Sequence, residues 1–155
     1  MNPWYRSLVE SEAKIVGLDP DVVQAVIFQE SSGRAAAFRY EPGFYARYLK
    51  DKPEFNTMDP QRVSASYGLM QIMYPVAHEL GFRQEPEYLF VPSINLHYGV
   101  AHLAGMVLWA GGDLRKAFAA YNGGKGGVNA PMPQHYAESV LTILGKIRAA
   151  RVVTP

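Results

Sequence analysis

The apolar residues of this chain recur every three or four positions, and no stretch alternates apolar and polar residues with the regularity of a half-buried strand. That pattern confines the fold to packed helices. Asn2-Pro3 opens the first, in which Trp4, Leu8, Ile15 and Val16 keep helical spacing until Gly17 stops it. Asp19 then precedes Pro20, an N-cap ahead of a proline at a position where the missing N–H costs nothing. The helix it starts runs through Val22, Val23, Val26 and Ile27 to about Glu30 and ends at Ser31-Ser32-Gly33. Further helices are predicted from Tyr74 to Leu80, Asn95 to Ala110, Leu114 to Tyr121 and about Gln134 to Ala150. In the segment Asn95 to Ala110, Val100, Leu103, Ala104, Val107 and Leu108 form one apolar stripe. Regularity lapses from Arg34 to Val63, where the turn signal Tyr40-Glu41-Pro42-Gly43, a short helix near Phe44 to Leu49 and a loop from Lys50 to Pro60 are expected. The expectation is an all-α single domain over residues 1–155, with room for a small hairpin in the middle.

Composition narrows the chemistry. The 155 residues are 48% hydrophobic and 19% charged, which supports a core and lies outside the disordered range. With no cysteine there is no thiol nucleophile, thiolate site or disulfide. A formal net charge of +1 gives no footing for nucleic acid as the main partner. His97 and His102 are five apart, off a common helix face, so no metal and no cofactor are expected. Gly123-Gly124-Lys125-Gly126-Gly127 lacks the Ser or Thr after its lysine that a phosphate loop needs. No run of about 18 apolar residues offers a membrane span, and Met1 to Glu10 does not read as a secretion signal.

Glu30 is the residue with the most to say. It lies seven positions after Val23, on the face shared with Val26 and Ile27, so the helix turns it toward the apolar side. It also lies at the C-terminal end, where the helix dipole is negative. Desolvation and a nearby negative partial charge both raise a carboxyl pKa. A carboxyl that keeps its proton near neutral pH suits general acid catalysis on a glycosidic oxygen, which leaves poorly unless protonated. The plainer alternative is a glutamate that caps the helix or pairs with Arg34.

Further segments join it. Gln29-Glu30-Ser31, Gly68-Leu69-Met70-Gln71-Ile72, Asn95 with Gly99, and Ala119-Ala120-Tyr121-Asn122-Gly123-Gly124 follow one another along the chain. Together they resemble the catalytic domain of the soluble lytic transglycosylases, a family related in fold to goose-type lysozyme. The resemblance covers about residues 22–147. It implies a lysozyme-like helical fold and a cleft for the alternating amino-sugar strand of peptidoglycan. It implies that Glu30 is the single essential glutamate. That residue would protonate the bond between N-acetylmuramic acid and N-acetylglucosamine, then take the proton of the muramic 6-hydroxyl as an intramolecular attack forms a 1,6-anhydro sugar. Ser31 is expected near the carboxyl. Met70 and Gln71 are expected beside the scissile bond, with core packing an equal alternative for Met70. Tyr67 either lines the cleft or packs. Tyr121 is expected near Glu30, Asn122 as an acetamido ligand or a helix cap, and Tyr136 at the cleft rim ahead of the last helix. Asn95 and Gly99 are expected to hold helices together.

The gap between Glu30 and Gly68 is longer than the family's usual one, with the surplus between about 38 and 63. It holds Arg39, Tyr40, Phe44, Tyr45, Arg47 and Tyr48 and reads either as a lid or binding wall or as a self-packed excursion. Glu41, a possible second carboxylate, leaves open a goose-type muramidase that hydrolyses the same bond with water. A non-catalytic wall-binding domain is a further alternative. The expected partner is the glycan strand, met by a monomer at the bacterial cell wall after delivery by phage lysis machinery, a virion or a secretion assembly.

Overall fold

In the computed structural model, residues 2–153 are described. Helix α1 spans Pro3–Val16 and α2 spans Pro20–Ser31. Strand β1, Phe38–Tyr40, leads into a short helical stretch, α3, Pro42–Phe44, which continues as a π-helical turn through Tyr45–Leu49. After α4, Pro60–Val63, come strands β2, Ala65–Tyr67, and β3, Ile72–Met73, and then α5, Tyr74–Glu79. A 3₁₀ turn at Pro86–Phe90 precedes α6, Pro92–Trp109. Helix α7 is Leu114–Gly123, and α8, Pro131–Val152, closes the chain.

Proline opens most of these helices, because its fixed φ and missing N–H fit the first turn and nowhere later. Asp19, Asp59 and Asp113 each accept a hydrogen bond from a backbone N–H of the turn they start, which satisfies donors that a helix cannot satisfy itself. Helix α1 stops at Gly17, whose φ of 72° is left-handed, and α2 stops at Ser32, a non-glycine residue at φ 53°.

Two apolar clusters result. The larger joins α1, α2, α6, α7 and α8 through Val9, Val23, Val26, Ile27, Leu103, Phe118, Val140 and Leu144. The smaller gathers Leu49, Phe55, Val63, Tyr67, Ile72, Tyr74, Phe82 and Leu89 around the sheet. The antiparallel strands run in the order β1-β2-β3, with Phe38 opposite Tyr67, Arg39 opposite Ser66 and Ser66 opposite Met73. The hairpin bridges the clusters. Tyr67 and Ile72 belong to the smaller, while Leu69 and Met70 at its tip insert into the larger.

Helix α6 and the last helix begin three residues earlier than their periodicity predicts, because Pro92 and Pro131 start them. Tyr136 lies inside α8, not ahead of it. Leu108 does not belong to the inward stripe: it is 83% exposed. The segment 38–63 carries both expected characters. Leu49, Phe55 and Val63 pack inward, while Phe38, Tyr40 and Tyr48 remain exposed.

Candidate active site

Glu30 occupies the last turn of α2, half-buried as the helical phase requires. Tyr136, reaching across from α8, donates its hydroxyl to Glu30 Oε1 at 2.6 Å. Burial lifts the Glu30 carboxyl from its ordinary value to about 7, against the hydrogen bond from Tyr136 and the charge of Arg39, which both favour the anion. Near neutral pH this group is close to half-protonated, the poise a residue needs to give a proton and then take one. Arg34 does not pair with it; its Nε donates to the Ser31 carbonyl at 3.1 Å.

The tip of the β2–β3 hairpin, Gly68-Leu69-Met70-Gln71, is held from several sides. Ser31 Oγ donates to the Leu69 carbonyl at 2.7 Å. Tyr121 donates its hydroxyl to the Met70 carbonyl, also at 2.7 Å. Fully buried Asn95 accepts from Met70 N–H at 2.9 Å and donates to the carbonyls of Tyr67 and Leu89, each at 2.7 Å. A side chain on Gly68, at φ 71°, would bring its Cβ within 2.5 Å of Asn95 Nδ2. The close approach that needs this glycine is thus to Asn95, not to a sugar or to the Glu30 helix. Gly99 serves in the same way, since a Cβ there would meet Met70 Sδ at 2.6 Å.

Several expected site residues hold this frame. Ser31 is buried and spends its hydroxyl on the hairpin, away from the Glu30 carboxyl. The Met70 side chain is fully buried in the core. Tyr67 is buried too, with its hydroxyl donating to the Arg62 carbonyl at 2.6 Å. Gln71 adopts a left-handed φ of 48°, a strained conformation for a residue with a Cβ and one that collects at functional sites. Its Nε2 donates to the carbonyls of Ala37 and Gly68 at 3.0 and 3.1 Å. The amide donors are therefore spent, and among the described residues no hydrogen bond takes its Oε1.

Tyr121 is pushed well above the usual tyrosine pKa by burial and by the Glu30 charge, and Tyr136 likewise. Both hydroxyls therefore keep their protons and act as donors. Behind Tyr121 lies His102, ring centroids 5.0 Å apart, held near pKa 4 by burial and by the charge of Lys125. A neutral ring there adds no competing charge to the site.

An open groove of about 460 Å³ runs beside Tyr136, lined by Gln29, Asn122, Pro131, Met132, His135, Tyr136 and Ser139. Asn122 is exposed in the last turn of α7, and Gly124 rather than Asn122 forms the helix cap. Met132 and Ser139 escaped the sequence reading, although they lie four before and three after Tyr136 on one helix face, which is the signal that would have found them. Glu41 is tied to Arg39 Nε at 2.5 Å.

The sequence pattern of the transglycosylase SLT domain matches residues 7–142. The chain belongs to that family. Its fold is shared with solved lytic transglycosylases. An inactive glutamate-to-glutamine mutant of lytic transglycosylase Slt from Pseudomonas aeruginosa is 22% identical, with a TM-score of 0.67 over 93% of this chain. The 70 kDa soluble lytic transglycosylase of Escherichia coli is 18% identical, with a TM-score of 0.71 over 95% of this chain. This chain spans 24% of the length of each of these. Among its described residues, no helix is long and apolar enough to cross a membrane.

Proposed function

We propose that this SLT domain is a peptidoglycan lytic transglycosylase in which Glu30 is both acid and base. The observation that carries the reading is the half-buried Glu30 carboxyl, raised to about 7 and gripped by Tyr136 beside an open groove. Protonated Glu30 gives its proton to the oxygen linking N-acetylmuramic acid to N-acetylglucosamine, and the C1–O bond breaks. The substrate's own N-acetyl carbonyl stabilises the positive C1. Glu30, now a carboxylate, takes the proton of the muramic 6-hydroxyl while O6 bonds to C1. One bond is exchanged for another, no water is consumed and the enzyme regains its starting proton.

Within this scheme Tyr136 steadies the carboxylate between the two steps. Gln71 Oε1 accepts from an amide or hydroxyl of the sugar, and Asn122 meets an acetamido group on the groove side. Tyr121 keeps the hairpin tip at a fixed height against Glu30. Among the described residues no carboxylate lines the groove beside Tyr136, which argues for the transfer reaction over hydrolysis by a second carboxylate base. The inactivity of the Pseudomonas aeruginosa relative carrying a glutamate-to-glutamine change fits a single-glutamate scheme.

The test is turbidity clearing of purified cell walls by the wild-type protein and by Glu30→Gln. The expected result is clearing by the wild type and a loss of at least about 10³-fold in the variant, since it removes the group that moves both protons. Clearing by Glu30→Gln at a rate within tenfold of the wild type contradicts the assignment.

A further inference from the structure

Arg39 stands in the middle of β1, opposite Ser66 of β2. Two residues before it, the Ala37 carbonyl accepts from both Gly68 N–H at 2.8 Å and the Gln71 side-chain amide at 3.0 Å. The segment that bears Arg39 is therefore fastened to the loop that closes the Glu30 site. Arg39 itself is 66% exposed. Its charge still reaches the site, because it favours the anionic forms of Glu30 and of Tyr136.

The guanidinium is half used. Its Nε donates to Glu41, and among the described residues no hydrogen bond takes up its terminal nitrogens. A guanidinium offers two donor edges, and a carboxylate on one leaves the other free for bidentate pairing. An exposed pair of this kind adds little to stability, while the Arg39 charge is felt at Glu30. Glu41, half-buried at the start of α3, fixes the orientation of a side chain that would otherwise sweep through many rotamers.

We propose that Arg39 is a carboxylate-recognition residue of the cleft, pairing through its open N–H edge with a carboxylate borne by the muramic peptide stem. This inference rests on the glycan-cleaving reading of the site. Arg39 thereby selects strands that carry acidic substituents and sets their register against Glu30, while Glu41 acts as a positioning residue.

Binding is read without cleavage by co-sedimentation with cell walls in the Glu30→Gln background. Two wall preparations are compared: native walls, and walls whose carboxylates have been converted to neutral amides with carbodiimide and ammonia. Glu30→Gln is expected to bind native walls about tenfold more tightly than amidated ones, a typical return for one charge-assisted pair. Adding Arg39→Gln is expected to erase that difference, and Arg39→Lys to restore part of it. A third preparation, stripped of stems by an amidase, loses the stem carboxylates and gains a lactyl carboxylate that the stem's amide bond had masked. The advantage of the Glu30→Gln parent over the Arg39→Gln double variant is expected to disappear there, and its persistence would overturn the assignment to the stem. Either an Arg39→Gln variant that keeps the full preference or a parent that shows none overturns the proposal. Failure of the wild-type protein to clear walls would instead remove the catalytic reading and leave the binding comparison intact.

Discussion

At the scale of single residues, the decisive quantity is the proton on Glu30. Its folded pKa of about 7 lies above the ordinary carboxyl value of 4.5, so the folded state holds this proton more tightly than the unfolded chain does. The associated stability is fully present below about pH 4.5 and is lost as pH rises through about 7. The difference amounts to about 3 kcal/mol. A glutamine at this position cannot ionise. Glu30→Gln is therefore expected to match the wild type in stability at pH 4 and to exceed it by up to about 3 kcal/mol at pH 8, as read by denaturant unfolding at both values. Equal stability at pH 8 would show that burial does not raise the carboxyl. The inward aim of Glu30 was legible from its helical phase with Val23, Val26 and Ile27. The roles of Ser31 and Tyr67 were not. Their partners, the Leu69 and Arg62 carbonyls, are backbone groups whose positions no side-chain pattern encodes.

At the scale of elements, the hairpin tip is the part that most needs explaining. Strands of three and two residues are too short to show alternation, so the sheet could be foreseen only as room for a hairpin. Its turn is built from a left-handed glycine at 68 and a left-handed glutamine at 71, and it is fastened by contacts to residues distant in sequence. Asn95 is the centre of that fastening: it ties the hairpin and the Leu89 carbonyl to α6, where the sequence suggested a contact between helices. Asn95→Ala would take one buried partner each from Met70 N–H and from the carbonyls of Tyr67 and Leu89. Each such loss costs about 1–3 kcal/mol. The variant is expected to lose about 3 kcal/mol or more in denaturant unfolding. A loss under 1 kcal/mol would mean that the loop finds its geometry without Asn95.

For the whole molecule, two cores meet at the hairpin, and the groups proposed to act on substrate gather there. Glu30, Tyr121 and Tyr136 belong to helices of the larger cluster, while Gln71 comes from the β2–β3 turn and Arg39 from β1. The helical architecture was readable because proline, Asx caps and glycine mark nearly every helix boundary. The extra segment between 38 and 63 was ambiguous because its buried residues, Leu49, Phe55 and Val63, are spaced without helical or strand period. In the proposed mechanism the 6-hydroxyl of the substrate, and not water, attacks the anomeric carbon. Mass spectrometry of muropeptides released from purified walls by the wild-type protein measures this outcome directly. New muramic ends are expected in the 1,6-anhydro form, lighter by one water than reducing ends; muropeptides carrying reducing ends would contradict the account.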